Sequence, residues 1–294
     1  MRKRIRYIIN PKSGTKGKED IPAMINQLTN RDEVTCEICF TEAPKHATSL
    51  ARDAAEKNFD IVVSVGGDGS ANETAKGLIG SNTSLGIIPN GSGNGMARHL
   101  KIPLKHEEAI AVINNGYHET IDTLTINNEF CIGTIGIGFD AHIAHLFGKS
   151  EVRGYATYVK LVLTEFYKYK ARTIRMHVDG KEFIKECFLL TFANSSQFGN
   201  NAVIAPFADV KDGILDVSMM KKFPAIFAPH LIYRLMNNII HQSRFFDRTS
   251  GKEVHVLNKG TIQGHIDGEP VTFTGDLHIK VVPASLEVVM PAGL

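Results

Sequence analysis

The strongest constraint on this chain is one local pattern that recurs three times in its first ~100 residues: a short apolar run that ends in a glycine-rich loop. Ile5–Ile9 runs into the loop Asn10–Gly17, which opens Asn10-Pro11-Lys12-Ser13-Gly14. Ile61–Val65 runs into Gly66-Gly67-Asp68-Gly69-Ser70, and Leu85–Ile88 into Pro89-Asn90-Gly91-Ser92-Gly93-Asn94-Gly95. Helical patterns lie between them at Ile21–Leu28, Pro44 to Lys57 and Ala71–Ile79, with a further strand at Val34–Phe40. Strands alternating with helices on short loops predict an α/β layer with a mostly parallel sheet. Ligands of such sheets bind outside the carboxyl ends of the strands, so the three loops are expected to share one crevice.

The residue types say what the crevice would hold. Glycine lets the backbone come close to phosphate oxygens and turn N–H groups toward them. Ser13, Ser70 and Ser92 add hydroxyl donors, and Lys12 adds a positive charge. The helix expected after Gly69 aims the positive end of its dipole at the same place. Asp68 is the exception, because a carboxylate repels a phosphate unless a cation lies between them. Magnesium bridging the two resolves the conflict, so the pattern asks for a nucleotide with a metal. It is not a P-loop, since Gly-x-x-x-x-Gly-Lys-[Ser/Thr] is absent, and Gly-x-Gly-x-x-Gly does not follow the first strand.

After about Thr120 the texture changes. Ile121–Ile126 and Phe130–Ile137 alternate around an Asn127-Asn128 turn, and Ile174–Val178 and Phe183–Phe192 flank Asp179-Gly180. Val254–Leu257, Thr261–Ile266, Leu277–Val282 and Leu286–Met290 read as further short strands, with helices at Tyr155–Tyr169 and Pro224–Ile240. This predicts an α/β domain over 1–122 and a β-rich domain over 123–294, whose last strand can return to the first. The 294 residues carry 33 Lys and Arg against 31 Asp and Glu. That near-balance argues against a nucleic-acid-binding field. Cys36 and Cys39 fall on one predicted strand, where positions three apart face opposite ways, so paired thiol chemistry is not expected. Four cysteines in a chain of this length fit a reducing, cytoplasmic setting. The basic start Met1 to Arg6 is followed by too short an apolar run for a secretory signal, and reads as a solvated strand edge. No segment is long and apolar enough to span a membrane.

Asn-Pro-Lys-Ser-Gly (10–14), Gly-Gly-Asp-Gly-Ser-Ala-Asn-Glu (66–73) and Pro-Asn-Gly-Ser-Gly-Asn (89–94) resemble the catalytic-domain motifs of the diacylglycerol kinase and sphingosine kinase superfamily, and most of all its soluble bacterial lipid kinases. Asp212-Gly213-Ile214-Leu215-Asp216 and Asp267-Gly268-Glu269-Pro270 match later motifs, so the resemblance covers nearly the whole chain. It implies an α/β nucleotide domain, a β-sandwich lipid domain and an active site between them. It implies that Asn10, Pro11, Lys12, Ser13, Gly14, Thr41, Gly66, Gly67, Asp68, Gly69, Ser70, Ala71, Asn72 and Ser92 line an ATP site, with Asp68 acting through Mg²⁺. Glu269 would be the general base on a lipid hydroxyl, with Asp267 nearby to orient or tune it. Asp212, with the main-chain carbonyls of Asp209 and Ile214, would bind a structural Mg²⁺. Two departures stand out: Ser70 and Ser92 replace threonines, which keeps the hydroxyl, and Gly95 replaces an aspartate, which removes a carboxylate.

The expectation is an ATP- and Mg²⁺-dependent kinase of phospholipid metabolism, acting on diacylglycerol or a related lipid taken from a membrane surface. A homodimer is left open. An NAD kinase-like phosphotransferase and a non-catalytic nucleotide or lipid sensor on the same fold are the competing readings. Weaker signals are His142 and His145, read as an ordinary surface or interdomain pair rather than a metal site. Tyr155, Tyr158, Val162, Phe166 and Tyr169 read as a helix face packed on a sheet rather than a lipid channel. Phe223, Ile226, Phe227, Leu231 and Leu235, after Lys221 and Lys222, form a stripe that a membrane interface could cover.

Overall fold

A computed structural model describes residues 2–14, 20–149 and 155–292, with only the backbone at Tyr155, Ala156 and Tyr158. Thr15, Lys16 and Gly17 of the first predicted loop lie outside the described residues, as do the side chains of Tyr155 and Tyr158. The chain divides into two compact units, one of residues 1–122 with 283–294 and one of residues 123–282.

The first unit runs β1 (Lys3–Ile9), α1 (Ile21–Leu28), β2 (Val34–Phe40), α2 (His46–Glu56), β3 (Ile61–Gly66), α3 (Asp68–Leu78), β4 (Ser84–Pro89), α4 (Gly95–His99), α5 (His106–Asn115) and the start of β5 (Tyr117–Ile126). Its sheet has the order β2-β1-β3-β4, every pair parallel. All six residues of β3 and of β4 are buried, as expected of strands covered on both faces. β1 is an interior strand and not a sheet edge, although Arg2 and Arg4 of the basic start are exposed. Arg6 is buried, and Glu37 (2.9 Å) and Asp53 (2.7 Å) hold its guanidinium while Arg4 lies over the Phe59 ring. A buried guanidinium persists only when paired in this way.

The second unit runs β6 (Glu129–Cys131), β7 (Thr134–Gly138), α6 (Phe139–Gly148), α7 (Tyr155–Phe166), β8 (Arg172–Val178), β9 (Lys181–Cys187), β10 (Leu189–Ala193), β11 (Leu215–Met220), α8 (Ala228–Met236), β12 (Phe246–Gly251), β13 (Glu253–Leu257), β14 (Thr261–Ile266), β15 (Glu269–Thr274) and β16 (Leu277–Met290). One sheet has the order β12-β11-β10-β7-β14-β15, and the other holds β13, β8 and β9 beside the first half of β16, all antiparallel. Leu124, Ile137, Met176, Leu190, Phe192, Val217, Val254 and Leu277 belong to one core cluster with residues from both sheets.

Three predicted strands are resolved differently. Phe130–Ile137 breaks at Ile132-Gly133, whose N–H groups leave the ladder for a carboxylate described below. Phe183–Phe192 breaks at Phe188, so that β9 serves one sheet and β10 the other. Leu277–Val282 and Leu286–Met290 join into the single strand β16, with Ala284 at φ 46° marking the irregular point. The helix predicted over Pro224–Ile240 is split into a 3₁₀ turn at Ala225–Phe227, α8, and a second turn at Ile240–Gln242. Asn238, at φ 61°, ends the regular part.

Candidate functional site

In the first unit the three loops are bound to one another. The Asn10 N–H donates to the Val65 carbonyl (3.1 Å) and its side-chain amide to Ser70 Oγ (3.2 Å). The Asn90 N–H donates to the Gly66 carbonyl (2.7 Å), and its side-chain amide reaches Ser13 Oγ (3.2 Å). Within the first loop, Asn10 Oδ1 accepts the Lys12 N–H (2.9 Å), and the Asn10 carbonyl accepts the Ser13 N–H and hydroxyl. The Thr41 N–H donates to the Ile9 carbonyl (2.9 Å), which sets the end of β2 beside this loop. A Cβ on Gly91 would lie 2.5 Å from the Gly67 Cα, so two main chains meet where no side chain fits. Gly14, at φ +94°, would meet Asn90 if it carried one.

Asp68 follows Gly67 at the start of α3. The helix begins at Asp68, three residues earlier than predicted, because the extended Gly67 serves as its N-cap. Gly69, Ser70, Ala71 and Asn72 are therefore in the first turns of α3 and not in a loop before it. Asp68 Oδ1 accepts the N–H of Met96 in α4 (3.1 Å), so the carboxylate also ties the β3 loop to the β4 loop. Ser92 and Lys12 are exposed on their loops. Gly95 is buried as the first residue of α4. Residues of these types, hydroxyls, main-chain donors, glycines and one carboxylate on bonded loops, suit a polyphosphate carried with a hard cation.

In the second unit Glu269 opens β15 and is exposed. It faces Ile266 across a two-residue turn in which Asp267 (φ 48°) and Gly268 (φ 84°) both adopt positive φ, the geometry that suits the twist of a tight hairpin. Asp267 is buried, and its carboxylate accepts the N–H groups of Ile132 (3.0 Å), Gly133 (2.8 Å) and Thr134 (2.9 Å). Its own N–H returns to the Thr134 carbonyl (2.8 Å). Asp267 thus fixes the turn to the β6–β7 segment. Burial and the neighbouring Asp267 push the Cys131 thiol far above its ordinary pKa.

A second clamp lies on the same hairpin. His265 Nε2 is 3.0 Å from Asp140 Oδ2, with both side chains nearly enclosed. The Gly268 N–H faces His265 Nδ1 at 3.4 Å, so Nδ1 is the acceptor and Nε2–H donates to Asp140. Any Cβ at Gly136 would lie 2.1 Å from His265 Nε2 and 2.2 Å from Asp140 Oδ2. The sequence reading missed this pair; its signal was Gly136 ahead of Asp140, a glycine in the middle of an apolar strand.

The Asp209–Ile214 loop caps itself. Asp209 Oδ1 accepts the Lys211 N–H (3.0 Å) and Asp212 Oδ1 the Ile214 N–H (2.9 Å). Burial raises the pKa of nearby Asp216 and Asp212 adds to the rise, while Arg248 at 2.8 Å opposes it. Asp212 is exposed, and a carboxylate oxygen is the kind of ligand a hard divalent cation takes. Among the described residues no three His, Cys, Asp or Glu side chains converge, so main-chain oxygens would have to complete the set.

The weaker signals resolve individually. His142 pairs with Glu165 (3.0 Å) and His145 Nε2 lies between the Gly264 (3.1 Å) and Val271 (3.0 Å) carbonyls, so the two histidines are not a pair. Val162, Phe166 and Tyr169 pack into an aromatic cluster with Phe139 and Phe188. Phe223, Phe227, Leu231 and Leu235 pack inward, leaving only Ile226 of that stripe exposed. Lys222 is withdrawn from the surface: its Nζ donates to the Phe166 and Tyr169 carbonyls and lies over the Phe166 and Phe188 rings. Desolvation lowers its pKa. Among the described residues no helix is long and apolar enough to cross a membrane.

Residues 4–126 match the diacylglycerol kinase catalytic domain, and residues 133–290 match the YegS C-terminal NAD kinase beta sandwich-like domain. A Mycobacterium tuberculosis diacylglycerol kinase is 30% identical over 277 residues, covering 91% of this chain and 88% of that protein. A Bacillus subtilis diacylglycerol kinase is 27% identical over 292 residues, covering 94% and 96%. The crystal structure of a diacylglycerol kinase from Bacillus anthracis shares the fold with a TM-score of 0.74 at 18% identity, covering 99% of this chain and 97% of that one. The glycine-lined loops around Asp68, the Asp-Gly-Glu hairpin and these full-length similarities make the chain a member of the diacylglycerol kinase family of lipid kinases.

Proposed function

We propose that this protein uses ATP and Mg²⁺ to phosphorylate the hydroxyl of diacylglycerol or a closely related lipid. The observation that carries the reading is the mutual bonding of the three glycine-rich loops, with Asp68 tying the β3 loop to the β4 loop through the Met96 N–H. Asn10–Gly14, Thr41, Gly66–Asn72 and Ser92 would line the nucleotide site, with Asp68 holding the metal. Bound magnesium would supply charge neutralisation at the phosphates.

Phosphoryl transfer asks the protein mainly for positioning and electrostatics. Glu269 would accept the proton of the lipid hydroxyl as its oxygen bonds to the γ-phosphorus and the bond to the bridging oxygen breaks. Exposed at the end of a turn held by Asp267 and by the His265–Asp140 pair, Glu269 is a carboxylate on a rigid support. Asp212, with the main-chain carbonyls of Asp209 and Ile214, would hold a second, structural Mg²⁺. The substrate would come from a membrane surface; the exposed Ile226, Ile232, Tyr233 and Met236 near Arg234 are apolar contacts suited to one.

The test is a transfer assay with purified protein, labelled ATP, Mg²⁺ and separate acceptors: diacylglycerol, phosphatidylglycerol, a sphingoid base and NAD. Label in an organic-phase lipid supports the reading. Label confined to NAD would make the chain an NAD kinase-like enzyme, and nucleotide binding without any transfer would make it a sensor.

A further inference from the structure

The hairpin that carries Glu269 is held at two points, one on each residue of its turn. Asp267 is held through its carboxylate, on three main-chain N–H groups of the β6–β7 segment. Gly268 stands directly before Glu269 and has a positive φ of 84°. Open space surrounds the position that a Cβ would take there, so packing does not hold this residue. Its N–H faces His265 Nδ1 at 3.4 Å.

Three elements fix the imidazole, and His265 is only 4% exposed. On β7, Gly136 leaves room beside it, where a Cβ would lie 2.1 Å from Nε2. In the first turn of α6, Asp140 Oδ2 is 3.0 Å from Nε2. After β10, the Phe198 ring meets the imidazole edge to face, with centroids 5.9 Å apart. Asp140 sets which nitrogen carries the proton: Nε2–H donates to the carboxylate, and Nδ1 keeps its lone pair for Gly268. The other oxygen, Asp140 Oδ1, is buried without a hydrogen-bond partner. A buried carboxylate depends on the donors that reach it, and among the described residues His265 supplies the one that reaches Asp140.

We propose that His265 is a positioning residue for the phosphoryl transfer: its Nδ1 holds the Gly268 N–H and so sets the direction in which the Glu269 carboxylate leaves the turn. The proposal rests on the general-base reading of Glu269. The two anchors divide the work. Asp267 binds the hairpin to the rest of the unit, whereas His265 governs the one peptide that precedes Glu269. A general base must lie within hydrogen-bond reach of the proton it takes, so a small rotation of that peptide acts on turnover.

The test uses two substitutions that separate the bonds of the imidazole. In His265→Asn the side-chain oxygen falls near the place of Nδ1 and can accept from Gly268, while the bond to Asp140 is lost. In His265→Gln the amide nitrogen falls near the place of Nε2 and can donate to Asp140, while Gly268 loses its acceptor. Turnover is measured with labelled ATP and dioleoylglycerol, or with whichever acceptor of the transfer panel takes label. His265→Gln should lower kcat by about tenfold or more, since a misplacement of about 1 Å can cost ~10²-fold. Its KM values for ATP and lipid should stay within about twofold of the parent. His265→Asn should keep most of the turnover, although an unpaired Asp140 lowers its thermal midpoint further. In a Glu269→Gln background His265→Gln should add little, because residues that act as a unit are not additive. Nitrogen-15 NMR of the unsubstituted protein, assigned by the imidazole signal lost in a His265 variant, should place the proton on Nε2. A proton on Nδ1, unchanged turnover in His265→Gln, the reverse ranking of the two variants, or full additivity with an impaired Glu269→Gln would overturn the proposal. Parental turnover in Glu269→Gln, or label in no acceptor, would instead remove the general-base reading and the role of His265 with it.

Discussion

Of the four Asp-Gly pairs in the chain, the one at 68–69 in the first unit and the one at 267–268 in the second do opposite things. Asp68 and Gly69 begin a helix, because Gly67 before them is extended and caps it. Asp267 and Gly268 form a turn with positive φ at both residues, because strands flank them on either side. The Asp68 carboxylate ties two loops together through the Met96 N–H among groups suited to phosphate and metal. The Asp267 carboxylate is buried and occupied by three consecutive main-chain N–H groups. The same two letters thus supply a candidate reactive group in one unit and a structural anchor in the other. What marks Asp267 as the anchor is its burial and the three consecutive main-chain donors on its carboxylate.

That contrast can be broken by substitution. Asp68→Asn keeps an acceptor for the Met96 N–H while removing the charge. It should lower kcat by about 10³-fold or more, with the thermal midpoint of unfolding little changed. A variant with near-normal turnover would remove Asp68 from the proposed chemistry. Glu269→Gln, at an exposed position, should reduce kcat by about 10²-fold or more, again with stability within about 0.5 kcal/mol of the parent. Asp267→Ala should behave in the reverse sense. It leaves three N–H groups without their charged acceptor, and denaturant titration should show a loss of about 3 kcal/mol. A stable Asp267→Ala protein that had lost only catalysis would erase the distinction drawn here.

Two smaller effects sharpen the comparison. Gly91→Ala puts a Cβ 2.5 Å from the Gly67 Cα, so the loops must separate; a loss of roughly 1–3 kcal/mol and a raised KM for ATP are expected. Least is expected of the Lys185–Asp247 ion pair in the second unit, where Lys185 at 2.6 Å holds the Asp247 carboxyl below its ordinary range. A carboxyl depressed in the folded state stabilises above its unfolded pKa, and that stability is lost as the pH falls through the lower, folded value. Both side chains are more than a third exposed, so Asp247→Asn should flatten the acid limb of the stability profile by less than about 1 kcal/mol. A larger change would mean that the pair is better shielded than its exposure indicates.

Legibility also differed between the units. β3 and β4 could be read from continuous apolar runs, because parallel strands covered on both faces have no polar side to confuse the pattern. In the second unit β11, β12 and β15 were missed. Asp216 and Ser218 interrupt the apolar pattern of β11, and their burial depends on Arg248 and on the Ile204 carbonyl, which are distant in sequence. The His265–Asp140 pair was hidden for the same reason: 125 positions separate its members. The stripe from Phe223 to Leu235 had helical spacing, but spacing does not tell an outward face from an inward one.

By itself the sequence determined the α/β-then-β order, the three glycine loops at strand ends, the oddity of Asp68 and the family these motifs point to. These are local matters: glycine placement, apolar periodicity and the charge of one residue beside its neighbours act within a few positions along the chain. Only the tertiary structure decided that α3 starts at Asp68, that Asp267 is an anchor, that the Lys222 ammonium lies over the Phe166 and Phe188 rings, and that Ile137, Leu190, Ile174 and Cys187 of two sheets line one cavity. Each depends on a donor, an acceptor or a void supplied by segments far apart in sequence, and burial decides whether a charge is satisfied or left available.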